Sequence, residues 1–216
     1  MQTVVCAAPT AVVLSVVANR LVLSEEENLR SRSFLRTVDQ QRFIAAHGLK
    51  RLLISQCVGI AAPFLSFDVT SHGKPFLKDQ DLHFNISHAG DFVTVALDKS
   101  APVGVDVEIN RDIVTWREVM PAVLSAQDDP LPPLQLWTAK EALLKASGTG
   151  FFTDARGLSV KALGNAFRGS SGEFLVDGAW YAPCSNHLIA VAGGSGEYAW
   201  HVTRSIDELD ALLNRL

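Results

Sequence analysis

Asp106 and Glu108 stand two residues apart in the run Val103-Gly104-Val105-Asp106-Val107-Glu108-Ile109, whose alternation predicts a strand. In an extended chain such residues share a face, so both carboxylates point one way while Val105, Val107 and Ile109 point the other. Neighbouring carboxylates repel each other unless a cation or a shared proton lies between them. Two such donors suit Mg²⁺, which takes one or two carboxylates and completes its shell with water and phosphate oxygens. An isolated Asp-x-Glu is equally a solvent-facing acidic strand. Here the flanking valines suggest burial, and Gly104 allows a ligand or a neighbouring backbone to come close.

Trp137, Lys140, Glu141, Leu144 and Lys145 follow the i, i+3, i+4, i+7, i+8 rule and are expected on one helical face. A solvated Lys/Glu face with a Glu141–Lys145 pair worth about 0.2–0.5 kcal/mol is one reading. Trp137 on the same stripe argues for the wall of a cleft. Ser87-His88-Ala89-Gly90 ends a strand, where a turn can aim an imidazole and backbone N–H groups at an anion. His83 and His88 are five apart, on opposite strand faces, so they do not form a metal pair. Arg42 falls three residues before Ala45 on the inward side of a long helix; it either snorkels to solvent or contacts a phosphate.

These groups need elements to carry them. A helix is predicted from about Val38 to Val58, with Ala45, Leu49, Leu52, Leu53 and Cys57 on one face and Gly59 as its stop. A second runs from Pro133 to Ser147, stopped by Gly148. Ser24-Glu25-Glu26-Glu27 and Ser205-Ile206-Asp207-Glu208 are helix-start signals. Strands are expected at Ala11–Val17, Phe64–Thr70, Leu82–Ser87, Phe92–Leu97 and Val103–Ile109. Further short strands are expected near Leu158–Ala162, Glu173–Val176, His187–Ala192 and Tyr198–Val202. Each half offers one long helix and several strands, which predicts an α+β fold of two halves meeting near Ala101.

The 216 residues, 48% apolar and 19% charged, describe an ordinary globular chain. A formal charge of −4 provides no broad attraction to nucleic acid or anionic lipid, so any anion site is local. The uncharged N-terminal stretch has no basic region and is interrupted by Pro9, Thr10 and Ser15, which argues against a secretory signal or a membrane span. Cys6, Cys57 and Cys184 form no metal or disulfide pattern, and a cytoplasmic protein is expected.

Taken together, Gly73-Lys74-Pro75, Asn85-Ile86-Ser87-His88, Gly104-Val105-Asp106-Val107-Glu108 and Trp137-x-x-Lys140-Glu141-Ala142-x-x-Lys145 are more specific than any one of them. Their order and spacing resemble the phosphopantetheinyl transferases of the surfactin-synthetase-activating type. The segment Phe34 to Gly59 is similar, more loosely, to that family's basic stretch and first long helix. The resemblance implies a monomer of two α+β halves, 1–101 and 102–216, related by a pseudo-twofold axis with the active site in the cleft between them. It implies Mg²⁺-dependent transfer of 4′-phosphopantetheine from coenzyme A to a serine of an acyl or peptidyl carrier protein, releasing 3′,5′-ADP. Asp106 and Glu108 would hold Mg²⁺ against the diphosphate, Glu141 would remove or orient the serine proton, and Lys145 would neutralise phosphate charge with Lys140 assisting. Lys74, Ser87, His88 and Arg42 would bind the phosphates and the adenosine end, with Arg30 or Arg32 adding charge. Where many relatives carry a third metal-binding acid in a Phe-Ser-x-x-Glu turn, this chain reads Leu124-Ser125-Ala126-Gln127-Asp128. Asp128 is therefore the expected third acid, with Asp129 facing solvent.

Overall fold

Pro9 divides the uncharged N-terminal stretch in two. In the computed structural model, which describes residues 2–148 and 154–216, strand β1 (Thr3–Pro9) precedes that point and helix α1 (Thr10–Ala18) follows it. The strand expected at 11–17 is thus a helix. Val13, Val16 and Val17, at i, i+3 and i+4, are all buried, and packing outweighs the preference of valine for strands. Val17 lies against Gly48 of α3 (Thr37–Val58), where an added Cβ would come within 2.6 Å of Val17 Cγ2. Between them, α2 (Glu25–Ser31) starts on a capping box in which Ser24 and Glu27 bond reciprocally.

After α3 come the hairpin β2 (Phe67–Val69) and β3 (Pro75–Leu77), then β4 (His83–Ala89), β5 (Phe92–Asp98) and β6 (Val103–Ile109). Helix α4 (Ile113–Val119), unforeseen in the sequence, is capped by Asp112 and buries Trp116. Helix α5 (Pro133–Ser147) ends at Gly148, whose φ of 75° is the left-handed stop that glycine favours. Then follow β7 (Ser159–Leu163), β8 (Ala166–Ser171), β9 (Phe174–Cys184), β10 (His187–Gly193), β11 (Tyr198–Val202) and α6 (Ile206–Leu213). No described helix is long and apolar enough to cross a membrane.

The fold is α+β. One sheet has the order β11-β1-β5-β4 and the other β6-β10-β9-β8-β7. Each repeats one plan: a first strand, a long helix, then a hairpin whose second strand lies against the first strand. Strand β11 joins the first sheet parallel to β1, and α6 packs against α1 and α3, so the chain ends beside its beginning. Val5, Ala7, Ala96, Val105, Val107, Ile189 and Val191 form the core between the sheets. The outer faces are covered by α1, α3 and α6 on one side and by α5 on the other.

The edges of the two sheets meet where β4 runs beside β6. Asn85 Oδ1 accepts the Val105 N–H at 2.9 Å, and Ser87 Oγ accepts the Val107 N–H at 3.2 Å. Side chains at alternate positions of β4 thereby satisfy the outward N–H groups of β6, which a ladder would otherwise pair. Asp98 fastens the far end of the junction. Its Oδ1 accepts the N–H groups of Ser100 and Ala101, and Oδ2 accepts Thr3 Oγ1 at 2.6 Å and the Ser195 N–H at 2.9 Å.

Burial opposes ionisation of Asp98, but the hydrogen bonds from Thr3, Ser100 and Ala101 prevail and hold its carboxyl well below the usual range. A depressed folded pKa contributes stability above the unfolded value of about 3.9, and that stability is lost as pH falls through the folded value. Asp98→Asn is expected to lower unfolding free energy at pH 7 by about 1–3 kcal/mol. Urea unfolding should show the wild-type advantage shrinking below about pH 4. A constant difference from pH 7 to 3 would contradict it.

Candidate active site

Gly104, Asp106 and Glu108 alternate along one face of β6, and α5 lies directly on that face. A Cβ on Gly104 would stand 2.1 Å from the Ala142 carbonyl oxygen and 2.3 Å from the Ala146 nitrogen. Only glycine lets the helix backbone approach this closely. The contact carries Lys145 to Asp106: Nζ donates to Asp106 Oδ1 at 2.6 Å, to the Val105 carbonyl at 3.1 Å and to Ser87 Oγ at 3.2 Å. Ser87 in turn donates to Asp106 Oδ1 at 3.0 Å. The other oxygen of that carboxylate, Oδ2, is buried without a hydrogen-bond partner among the described residues.

Two further acids share this field. Glu108, nearly buried, accepts from the Arg111 guanidinium three residues on. Glu141, one turn before Lys145, has its carboxyl pushed above the ordinary range by burial and by Asp106, with Lys145 opposing and Glu108 adding to the rise. An orphaned buried oxygen beside two more carboxylates fits a hard cation such as Mg²⁺. Among the described residues no three acids, histidines or cysteines are gathered as tightly as the ligands of one metal. Lys145 and Arg111 engage Asp106 and Glu108 instead.

Further cationic groups are carried by the first half of the chain. His88, next to last in β4, is exposed at its surface, and its pKa is lowered by partial burial and by the charges of Arg42, Lys145 and His47. Arg42 reaches from α3 to the β4–β5 turn, donating from Nε to the Gly90 carbonyl at 2.9 Å. Arg30 lies over the Phe43 ring and lines an open cleft of about 830 Å³ with His47, Phe67 and Pro75. Arg32 lines an adjoining cleft with Leu21 and Phe64. The floor of the larger cleft holds Glu27, a residue read in the sequence only as a helix start. His47 Nδ1 at 2.8 Å, Lys50 Nζ at 3.0 Å and the Arg51 guanidinium converge on it. Despite burial, which raises its pKa, these partners hold Glu27 well below the usual range.

Lys74, expected at a phosphate, points elsewhere. Its Nζ lies 2.6 Å from the Lys145 carbonyl, 3.1 Å from that of Val103 and 3.4 Å from that of Ala146, and burial pulls the ammonium down to about 8.

The helical face expected to hold Trp137, Lys140, Glu141, Leu144 and Lys145 together is split. Lys140, 1% exposed, turns into the core of the second half and donates to the carbonyls of Val123, Ala155 and Leu158. Its charge is matched by Asp128, whose Oδ2 lies 2.8 Å from Nζ. Asp128 also accepts the N–H groups of Ser125 and Val160, so both of its oxygens are engaged away from Asp106 and Glu108. The reason is rotational: residue 140 precedes 141 by one helical step of about 100°, enough to put the two on different flanks of α5, one against the core of the second half and the other toward β6. Asp129 bonds Lys161 and the Ala162 N–H at the edge of the second sheet. Trp137 packs near Trp116, with ring centroids 6.3 Å apart.

Two consequences are testable. Asp128→Ala leaves the Lys140 charge buried without its partner and should cost about 3–5 kcal/mol of stability. The double variant Asp128→Leu/Lys140→Met should cost less than the single substitution. Gly104→Ala should destabilise by about 1–3 kcal/mol, since the contact is with backbone that cannot rotate away. Chemical denaturation measures all three; full stability of Asp128→Ala would show that the pair does not matter.

A model of the N-terminal part of 4′-phosphopantetheinyl transferases matches residues 8–100, and one of the 4′-phosphopantetheinyl transferase superfamily matches residues 102–175. The chain is 31% identical over 143 residues to a putative 4′-phosphopantetheinyl transferase of Synechocystis, covering 60% of this chain and 58% of the relative. It is 31% identical over 149 residues to a 4′-phosphopantetheinyl transferase of Bacillus subtilis, covering 64% and 66% respectively. Over 88 residues it is 38% identical to the 4′-phosphopantetheinyl transferase AcpT of Escherichia coli, covering 35% and 45%. The matched regions span less than two thirds of the length of these relatives. The second match takes in the strand and helix that hold Asp106, Glu108, Glu141 and Lys145; the two matches together cover well over half of the chain, which belongs to the 4′-phosphopantetheinyl transferase superfamily.

Proposed function

We propose that the protein is an enzyme that transfers 4′-phosphopantetheine from coenzyme A to a serine of an acyl or peptidyl carrier protein and releases 3′,5′-ADP. The observation that carries this reading is the unpartnered buried oxygen of Asp106, set among Glu108, Glu141 and Lys145. Asp106 and Glu108 would hold Mg²⁺, with Arg111 releasing Glu108 to do so. When bound, the metal supplies positive charge opposite the diphosphate oxygens.

The remaining work falls to side chains. Phosphoryl transfer needs positioning and charge stabilisation more than covalent help. Lys145 brings a cation to the transferring phosphoryl group, and Ser87 fixes both Lys145 and Asp106 by hydrogen bonds. Glu141 accepts the proton of the carrier serine; its raised pKa makes it a better base than an ordinary carboxylate. His88, Arg42 and Arg30 provide the cationic wall for the nucleotide phosphates. The strand–helix–hairpin plan repeated in the two sheets supports a pseudo-twofold axis relating the halves. In the same reading the enzyme is a cytoplasmic monomer, and its free Cys6, Cys57 and Cys184 accord with a reducing compartment.

The test is an intact-mass measurement of a carrier protein incubated with coenzyme A and Mg²⁺. Asp106→Ala should nearly abolish the mass gain while keeping the fold. Glu141→Gln should lower kcat by about 10²–10⁴-fold with coenzyme A binding retained in calorimetry. The wild-type rate should rise with pH through a value above the ordinary carboxylate range, because the base must lose its proton. Parallel loss of coenzyme A binding in Glu141→Gln would assign that residue to the metal. Free phosphopantetheine released without a carrier would make the protein a diphosphate hydrolase.

A further inference from the structure

The β2–β3 hairpin ends in a turn that aims one side chain across the molecule. Gly73 adopts a φ of 82°, its N–H donates to the Thr70 carbonyl at 2.9 Å, and the Lys74 N–H donates to Thr70 Oγ1 at 3.1 Å. The turn sends Lys74 from the first half to the last turn of α5 in the second. An ammonium group has three donors, and here three carbonyl oxygens surround it, those of Val103, Lys145 and Ala146. The last carbonyls of a helix have no intrahelical partner and carry the negative end of its dipole, so a cation satisfies both needs. Lys74 therefore joins the start of β6 to the end of α5. One of the residues it grips is Lys145, whose own Nζ rests on Asp106.

We propose that Lys74 is a positioning residue, which holds the last turn of α5 against β6 and so sets Lys145 on Asp106, instead of contacting coenzyme A itself. The consequence for catalysis rests on the transferase reading above; the mechanical role does not. A residue acting this way alters turnover through the placement of Lys145 and leaves nucleotide affinity nearly untouched. A phosphate ligand would do the opposite, because the nucleotide end is bound alike in ground and transition states.

The experiment combines steady-state kinetics with backbone amide exchange on the wild type, Lys74→Met and Lys74→Arg. Lys74→Met should lower kcat by about 10–100-fold, with KM for coenzyme A changed by less than about threefold. Amide exchange over residues 144–148 should rise in the same variant. Lys74→Arg, which keeps a charged donor group, should recover part of both. An elevated KM with unchanged kcat would overturn the proposal in favour of substrate contact. Unchanged exchange at the end of α5 in Lys74→Met would overturn it regardless of activity. If the wild type modifies no carrier protein, the transferase reading falls, and increased exchange in Lys74→Met with recovery in Lys74→Arg still upholds the positioning role.

Discussion

The site depends on how two sheet edges are joined without a continuous ladder. Strand β6 turns the N–H groups of Val105 and Val107 outward, and Asn85 and Ser87 of β4 accept them. Unpaired, such buried donors would each cost about 1–3 kcal/mol. Side chains can serve here only because alternate residues of β4 face β6, which makes the Asn-x-Ser spacing a structural requirement. Ser87 then has a second task, since the hydroxyl that accepts from Val107 donates to Asp106 and lies beside Lys145. The residue that closes the seam also orients the carboxylate and the lysine at the centre of the site.

On the other face of β6, the governing contact is steric. With the Ala142 carbonyl where a Gly104 Cβ would be, α5 rides on the strand backbone, and Glu141 and Lys145 reach the acids of β6. Three carboxyl groups share a partly dehydrated space in which only some of their charge is answered by Lys145 and Arg111. Asp106 retains an unanswered oxygen, and Glu141 holds its proton more tightly than an exposed glutamate. Chemistry is concentrated where satisfaction is incomplete.

The completely satisfied charges elsewhere have a different character. Lys140 and Asp128 are nearly inaccessible, and their partners use up the donors and acceptors that each can present. Glu27 likewise sits among His47, Lys50 and Arg51. Such groups are expensive to unpair and gain little over apolar replacements, so their role is to hold segments in register. Lys140 and Lys145 lie five residues apart on one helix, yet one is a buried strut and the other a member of the site.

Much of this was legible in the residues. The long helices over 37–58 and 133–147 were marked by periodic apolar positions and by Gly59 and Gly148, and the strand over 103–109 by its alternation. The pairing of Asp106 with Glu108 on one face followed from the period of a strand, a local property of the backbone. The sequence by itself also carried the family resemblance that the two matched regions later supported. What it did not determine were the partners. Helical periodicity placed Lys140 beside Glu141 without saying which elements would flank α5, and the second half buried the one while the first left the other at the junction. Lys74 reads locally as a turn residue; its target is 71 positions away in sequence and exists only once the hairpin and α5 have been brought together. The valines at 11–17 were strand-like by propensity, but a long-range neighbour, Gly48, made room for them as a helix. Local geometry follows from short-range steric preference, whereas the partner of a charge depends on packing between distant segments, and that only the tertiary structure decided.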